Sequence, residues 1–234
     1  MHQNRAPMFI IVLVESALEC IPASSIERKK TKKMRQKRKK PLEKTLLDVS
    51  IHNHLMQNLV DKNKRGRPDI VHHSLLLALG SRLNKEGYLQ IYVHTRNNEI
   101  IAFNPEVRVP RNYNRFKGLM EQLFDVGTIP PESDQPLIEL KPQPLPDFIS
   151  SLNPDIVVLF TEKGARLPQK DLQKHFLGKK KIVFLVGGFP HGEISQEIFE
   201  LSKLHVSLYD DPLDTLVIVS YIIQISEQTI KLDE

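Results

Sequence analysis

A chain of 234 residues with 33 Lys and Arg and 28 Asp and Glu carries a formal net charge of +5 at pH 7. Residues 28–40 hold ten of the basic side chains and no acid, so the rest of the chain is mildly acidic, with 23 basic and 28 acidic side chains. The single cysteine, Cys20, excludes an intrachain disulfide, and the apolar runs are too short to cross a bilayer. We therefore expect one large domain, 1–234, in a cytoplasmic protein, or a nucleolar one if the source is eukaryotic, with no membrane partner.

The first element is a buried strand, and a strongly basic segment follows it. Met8 to Val14 is a continuous apolar run rich in β-branched residues, which favours the central strand of a sheet covered on both faces. Periodicity ends in residues 23–44, where dense like charges predict a mobile loop. We interpret this loop as an arm that binds RNA phosphates; a solubilising segment or a localisation signal is the alternative.

The middle of the chain, 46–150, is predicted to be an inserted subregion. Two helical patterns precede a β-hairpin, which is followed by a third helix and then by six prolines that indicate a stiff, extended connector. The expected bounds are Leu46–Val60 and Val71–Leu79 for the first helices, Tyr88–His94 and Glu99–Phe103 for the hairpin strands, Tyr113–Phe124 for the third helix and 130–146 for the connector.

From Pro154 onward, short apolar strands alternate with helical patterns. This alternation predicts an α/β fold, a parallel sheet with helices on both faces, to which the first strand also belongs. The expected strands are Ile156–Phe160, Ile182–Val186 and His205–Tyr209, and the expected helices are Pro168–Leu177, Ile194–Leu201 and Pro212–Ile230.

Three arginines mark the start of the third helix. Arg108, Arg111 and Arg115 are separated by helical offsets, and Asn112 is a suitable N-cap for a helix from Tyr113. Guanidinium groups that converge on a helix start, where backbone N–H groups also attract anions, make a site for several phosphates. Because the body of the chain is acidic on average, we interpret this cluster as a site for several phosphates rather than a solvated basic face.

Three loops follow predicted parallel strands, at the edge where α/β sheets bind their ligands. They are residues 161–164, 187–193 and 208–213. Glycines at 187, 188 and 192 would let a ligand approach the backbone, whose amides and carbonyls can read an adenine ring. The pattern is neither a dinucleotide fingerprint nor a P-loop, and by itself it is equally typical of a tight turn.

Several separated motifs occur in a specific order. They are Arg67-Pro68-Asp69-Ile70 with His72, Leu83-Asn84-Lys85, RVPRNYNRFKGLMEQL from 108 to 123, Val186-Gly187-Gly188-Phe189-Pro190-His191-Gly192 and Pro212-Leu213. Together they resemble the small-subunit rRNA pseudouridine N-1-methyltransferase family of the SPOUT class. The resemblance implies an α/β fold with a trefoil knot in 154–234, S-adenosylmethionine held in that knot, and a homodimer that methylates N-1 of a pseudouridine in a small-subunit rRNA hairpin during ribosome biogenesis.

The same resemblance implies roles for individual residues. Contacts with RNA are expected from Arg67, Arg108, Arg111 and Arg115, with Asp69 orienting Arg67. The cofactor pocket is expected to include Thr161, Gly187, Gly188, Gly192, Leu208, Tyr209, Asp210, Asp211, Pro212 and Leu213. An Asp two residues from an Arg can fix the guanidinium by charge-assisted hydrogen bonds and so preorganise it for RNA.

Methyl transfer to a ring nitrogen also requires the loss of that nitrogen's proton. We hypothesise that Asp210 or Asp211, in a loop expected at the pocket, takes this proton directly or through water. The alternative for Asp211 is that it caps the final helix before Pro212.

Two other functions are compatible with the sequence. The first alternative is a non-catalytic RNA-binding assembly factor, although such a protein would not need the glycines at 187, 188 and 192. A Rossmann-like nucleotide-binding enzyme ranks last, because Glu15-Ser16-Ala17 after the first strand contains no glycine. The histidine pairs at 52 and 54 and at 72 and 73 lack the spacing of zinc ligands, so no metal is expected.

Overall fold

The computed structural model describes residues 7–26 and 41–232, so residues 27–40 of the predicted basic loop lie outside the described chain. Within the described part, eight strands and eight α-helices form an α/β fold around one sheet. The strands are β1 (Met8–Ser16), β2 (Leu89–Thr95), β3 (Glu99–Phe103), β4 (Thr128–Ile129), β5 (Ile138–Pro142), β6 (Ile156–Arg166), β7 (Lys181–Gly187) and β8 (Leu204–Ser207). The helices are α1 (Val49–Met56), α2 (Pro68–Gly80), α3 (Arg82–Lys85), α4 (Tyr113–Val126), α5 (Leu145–Leu152), α6 (Gln169–Lys174), α7 (Gln196–Glu200) and α8 (Thr215–Leu232).

The sheet is mostly parallel. Its strand order is β4-β5-β3-β2-β1-β7-β6-β8, in which β2, β1, β7, β6 and β8 pair in parallel and β3, β5 and β4 form an antiparallel edge. The predicted α/β class, with the first strand in the same sheet as the C-terminal strands, is therefore confirmed.

Strand β1 lies at the centre because both of its faces are apolar. The odd-numbered residues from Phe9 to Leu13 pack into a core that includes side chains of α2, α4 and α8. The even-numbered residues from Ile10 to Val14 pack on the opposite face with side chains of α5 and α7. A strand buried on both faces reads as a continuous apolar run, which is what the sequence contains there.

The middle of the chain extends this sheet. The predicted hairpin forms as β2 and β3, and β2 pairs in parallel with β1. Part of the segment 130–146, expected as an extended connector, is instead an element of the sheet, because β5 pairs along β3 and Ile138 is buried against the core. Pro136 lies before this strand and Pro142 is its last residue, so no proline lies in its interior.

Helix boundaries differ from expectation where a side chain or carbonyl caps the helix. Helix α1 begins at Val49 rather than Leu46, because the Asp48 side chain accepts a hydrogen bond from the Ser50 N–H. The last helix begins at Thr215 rather than Pro212, since the Asp214 carbonyl accepts the first helical bonds, so Asp211 does not cap it. No helix among the described residues is long and apolar enough to cross a membrane.

Candidate active site

A bulge of β6 and the carboxyl ends of β7 and β8 enclose a cavity. It is lined by residues from 160–162, 187–194 and 206–218, so parts of all three segments singled out in the sequence contribute to it. Residues 161–164, expected as a loop after a strand ending at Phe160, are instead a bulge within β6, which continues to Arg166. Its wall combines the backbone at Gly187 and Gly192 with the apolar side chains of Leu208, Leu213 and Ile218. Exposed backbone amides beside apolar side chains suit a ligand that has both a flat ring and polar edges.

Eight of the ten residues predicted to contact a cofactor line this cavity. The structure brings together Thr161, Gly187, Gly192, Leu208, Tyr209, Asp211, Pro212 and Leu213. Residues that are distant in the chain therefore converge because their strands are parallel and end at one edge of the sheet.

The other two predicted residues lie outside the cavity lining. The Gly188 N–H donates to the Val14 carbonyl at 2.8 Å, and a side chain at 188 would collide with Ser16, so this glycine packs its loop on β1. The Asp210 side chain is 80% exposed and lies 3.4 Å from Arg166 Nε. Of the two proposed proton acceptors, only Asp211 lines the cavity.

Side-chain contacts join the loops across the cavity. The Thr215 hydroxyl at the start of α8 donates to the Gly187 carbonyl at 2.6 Å. Lys163 Nζ lies 2.7 Å from Glu193 Oε2, and this hydrogen bond holds the pKa of Glu193 below its ordinary value. The pair is exposed and contributes little stability, but its geometry links the bulge of β6 to the loop after β7.

A second cleft adjoins this cavity. Arg67 and Asp69 lie in it, together with His73 and Asp214. The two spaces share six lining residues: Phe189, Pro190, His191, Pro212, Leu213 and Thr215. A group bound in the cavity and a group bound in the cleft would consequently lie next to each other, in contact with the same six residues.

Arg67 and Asp69 form a two-point ion pair. The Arg67 Nε donates to Asp69 Oδ1 at 2.8 Å, and Nη2 donates to Oδ2 at 2.7 Å. Burial alone would raise the pKa of Asp69, but the hydrogen bond and charge of Arg67 outweigh it and lower that pKa. The same hydrogen bond raises the pKa of Arg67, so both groups are charged and the guanidinium plane is fixed at the cleft.

The arginine trio, Arg108, Arg111 and Arg115, lies at the start of α4. The Asn112 side chain accepts a hydrogen bond from the Arg115 N–H at 3.1 Å, which is the predicted N-cap. All three arginines are exposed, and none of their guanidinium groups forms a hydrogen bond or ion pair within residues 7–26 and 41–232. Three cations without acidic partners are available to bind phosphate.

His72 joins the segment before α4 to α2. Its Nε2 lies 2.7 Å from the Pro110 carbonyl, and its ring stacks on Phe116 with 4.3 Å between centroids. Since a carbonyl only accepts, Nε2 carries the proton, and the buried Nδ1 has no hydrogen-bond partner among the described atoms. Burial lowers the pKa of His72 and so favours the neutral ring, and its contacts with Pro110 and Phe116 give it a structural role.

Sequence reasoning did not identify the network that holds α4 in place. Asp48 accepts hydrogen bonds from the Tyr113 hydroxyl at 3.0 Å and from Lys117 Nζ at 2.9 Å. Burial opposes the charge on Asp48, but the bonds from Ser50, Lys117 and Tyr113 lower its pKa, while burial and Asp48 raise the pKa of Tyr113. The only local signal was the cap that Asp48 forms with Ser50, because its α4 partners are more than 60 residues away.

The described residues contain no cluster of three His, Cys, Asp or Glu side chains that is placed to hold a metal ion. The buried His52, one of the histidines weighed as a ligand, accepts a hydrogen bond from the Asp48 N–H at its Nδ1. It stabilises the start of α1.

The family model described as EMG1/NEP1 methyltransferase matches residues 11–227 of this sequence. The chain belongs to the EMG1/NEP1 methyltransferase family. The resemblance found in the separated motifs is thereby confirmed, as is the expected enzyme class of methyltransferase.

Curated EMG1/NEP1 relatives match over nearly their full length. The ribosomal RNA small subunit methyltransferase Nep1 of Staphylothermus marinus is 47% identical over 213 residues, which cover 91% of this chain and 92% of the relative. The protein of the same name from Pyrococcus furiosus is 41% identical over 213 residues, covering 91% and 93% of the two chains.

A solved EMG1/NEP1 structure confirms the fold. Archaeoglobus fulgidus Nep1 bound to S-adenosylhomocysteine is 37% identical, with a TM-score of 0.81, and the match covers 96% of this chain and 99% of that one. The architecture described above, including the parallel strand ends that form the cavity, is therefore that of an EMG1/NEP1 methyltransferase.

Proposed function

We propose that this protein transfers a methyl group from S-adenosylmethionine to N-1 of a pseudouridine in a hairpin of small-subunit rRNA, in the cytoplasm or nucleolus. The observation that carries the proposal is the shared wall between the cavity and the Arg67 cleft. A donor in the first and a base in the second would be neighbours. Relatives named as rRNA small subunit methyltransferases, and one solved with S-adenosylhomocysteine, support the donor and the substrate class.

The residues of the cavity fit the proposed cofactor. S-adenosylmethionine, when bound, supplies a methyl group on a positively charged sulfur. The apolar side chains of Leu208, Leu213 and Ile218 form walls for an adenine ring, and the backbone at Gly187 and Gly192 is open to its polar edges. Gly192 has a φ of +113°, a conformation that residues with a side chain rarely adopt, so the loop follows a path that favours glycine.

In this proposal, much of the rate enhancement comes from holding the methyl donor and the target base in a productive orientation. Reactants held in a productive orientation reach effective molarities on the order of 10⁵ M or more. The fixed loops, tied by Thr215 to Gly187 and by Lys163 to Glu193, hold one reactant, and the Arg67–Asp69 pair fixes the mouth of the cleft for the other.

The proton of the target nitrogen needs an acceptor. Asp211 lines the cavity and Asp210 does not, so we assign the role to Asp211, acting directly or through water. An enzyme that modifies a base normally binds it outside the stack, and the cleft beside Arg67 is the space in which a flipped base would lie.

The arginine trio provides the remaining RNA contacts in the proposal. Exposed guanidinium groups without acidic partners bind phosphates and release counterions, which gives affinity and salt dependence rather than base specificity. Since His72 ties Pro110 to α2 and Arg67 immediately precedes α2, one helix sets the distance between the trio and the cleft.

A homodimer and a C-terminal trefoil knot complete the proposal. Tyr209, Leu216 and Val217 are large apolar side chains exposed close to the cavity, a feature that supports an interface between two copies. Light scattering of the purified chain tests the dimer, for which a mass of two chains is expected.

Methyl transfer to two synthetic rRNA hairpins tests the whole function. The hairpins differ only in carrying uridine or pseudouridine at one loop position, and the methyl group of the donor is isotopically labelled. Label on the pseudouridine hairpin alone is the expected result. Label on neither hairpin, with tight and salt-sensitive binding to both, would favour the non-catalytic assembly factor instead.

A further inference from the structure

The segment from Asp61 to Arg67 is fixed to the sheet by ion pairs. Arg65 binds Glu19 at two points, with Nε 2.7 Å from Oε1 and Nη2 2.5 Å from Oε2, and the Glu19 side chain is almost fully buried. Arg96 Nη2 lies 3.0 Å from Asp61 Oδ2. This segment leads directly to Arg67 at the cleft, so its position sets that of the proposed RNA contact.

Lys64, in the middle of the segment, contacts the loop after β7. Its Nζ lies 2.9 Å from Glu15 Oε2 and 4.4 Å from the centre of the Phe189 ring. Its stem lies under Gly192, where an added Cβ would be 3.0 Å from Lys64 Cε. The Lys64 side chain is only 14% exposed, so it is a packed contact and not a solvated surface charge.

Both loop residues that touch Lys64 belong to the proposed cofactor pocket. Phe189 and Gly192 line the cavity, and Phe189 also lines the Arg67 cleft. The Phe189 ring packs on Gly187, where an added Cβ would be 3.1 Å from it. Lys64 therefore contacts two residues that line the cavity without lining it itself.

The partner of Lys64 has an unusual backbone. Glu15, at the end of β1, has a φ of +48°, and its N–H donates to His94 Nδ1 at 3.3 Å. A residue with a side chain is uncommon in this left-handed region and needs surrounding contacts to hold it there. In this conformation the Glu15 side chain leaves the regular alternation of a strand, and its carboxylate forms the ion pair with Lys64.

We infer that Lys64 is a positioning residue for the cofactor loop, and that through it the cofactor pocket and the segment 61–67, which positions Arg67, are energetically coupled. This inference rests on the proposed function and adds a residue that none of the separated motifs contains. A contact that holds both the loop and the segment in one arrangement makes each ligand bind more tightly in the presence of the other, and the coupling factor is the same in both directions.

Isothermal titration of the full-length protein with S-adenosylhomocysteine tests the loop contact. Lys64→Met keeps the apolar stem and removes the charge, and we expect its Kd to rise about tenfold, the loss of one partly desolvated cation–π contact with its ion pair. Lys64→Arg should recover most of the affinity. Lys170→Met is the matched control, because Lys170 is exposed and lines neither the cavity nor the cleft, and its Kd should equal that of the wild type.

Hairpin binding with and without S-adenosylhomocysteine tests the coupling. In the wild type, the ligand should strengthen hairpin binding severalfold, and in Lys64→Met the factor should fall to about one. Thermal unfolding without ligand separates this from a folding defect, and Glu15→Gln, which removes the ion pair while leaving Lys64, should give an intermediate loss.

The outcomes separate the inference from the function on which it rests. Equal Kd values for the wild type and Lys64→Met, or an unchanged coupling factor, would overturn the inference alone. Failure of the wild type to bind S-adenosylhomocysteine would overturn the proposed cofactor and the inference together.

Discussion

Gly164 is the position where a single methyl group would most directly disturb the cofactor pocket. It lies in a bulge of β6, where Phe160 and Ala165 both pair with Val206 of β8. A Cβ at 164 would lie 2.5 Å from the backbone N and C of Val206. Because carbon atoms in contact are normally about 3.5–4.0 Å apart, Gly164→Ala must separate the two strands by roughly 1 Å.

The cost of this separation follows from the packing on both sides. Val206 is fully buried, so neither strand can move into open space, and overpacking of this kind costs about 1–3 kcal/mol. For a chain of this length, that corresponds to a fall in Tm of about 2–12 °C. Strand β8 leads into the pocket loop 208–213, so we also expect weaker binding of S-adenosylhomocysteine.

Gly118→Ala is the matched control, since it adds the same methyl group with the opposite expected sign. Gly118 lies inside α4, and nothing is within 4 Å of its added Cβ. Alanine in a helix interior is more favourable than glycine by roughly 0.5–1 kcal/mol, so the Tm should rise slightly. Calorimetric unfolding and titration with S-adenosylhomocysteine measure both effects. A Gly164→Ala protein with wild-type Tm and Kd would refute the argument that β6 and β8 are packed rigidly against each other at Gly164.

Three further predictions concern RNA binding, pH and the proton acceptor. Arg111→Ala, and likewise each other member of the arginine trio, should weaken hairpin binding and lower the slope of log K against log[salt] by about 1; an unchanged slope would exclude a phosphate contact. Burial lowers the pKa of His72 from its ordinary value of 6.5, so the stability due to its neutral form is complete above that pH and is lost as the pH falls below it. Urea unfolding at pH 7.5 and 5.5 should show this loss, reduced in His72→Gln, and equal pH dependence of the two proteins would contradict it. Asp211→Asn should lower turnover about 10²-fold or more while Asp210→Asn should not, and equal effects would remove the distinction between them.

The sequence was informative where a structural feature depends on neighbouring residues. The Asn112 cap and the start of α4 at Tyr113 are local, because a side chain three residues away satisfies the first free N–H groups of the helix. The strand β1 was equally predictable, since burial on both faces requires a continuous apolar run. The gathering of the cofactor residues followed from parallel strands that end at one edge.

Features that depend on distant partners were not predictable from the sequence. Nothing near Asp48 indicates that Tyr113 and Lys117 will bind it, and nothing near Lys64 indicates Glu15. Such pairs form only once the fold has brought the residues together. The pairing of β5 with β3 is similar, because a short strand between prolines has the same composition as an extended connector.

The sequence alone could not show which of the adjacent residues Asp210 and Asp211 faces the cavity. Adjacent residues in an irregular loop point in different directions, and no periodicity indicates which one faces a ligand. The structure separates them, with Asp210 directed to Arg166 at the surface and Asp211 at the cavity.

Helix α2 explains how one fold can hold both proposed substrates at a fixed separation. Its first turn contains Asp69, which holds Arg67 at the cleft, and one turn later His72 holds Pro110 in front of the arginine trio. Its other face packs against α8, whose first residue, Thr215, binds the Gly187 carbonyl in the cofactor loop. Because α2 is a rigid helix between these contacts, it fixes the distance between the phosphates bound by the arginine trio and the target base in the cleft. Changes in the packing of α2 should therefore alter the rate of methyl transfer more than the affinity for either ligand, because each binding site would remain intact while the distance between the two changes.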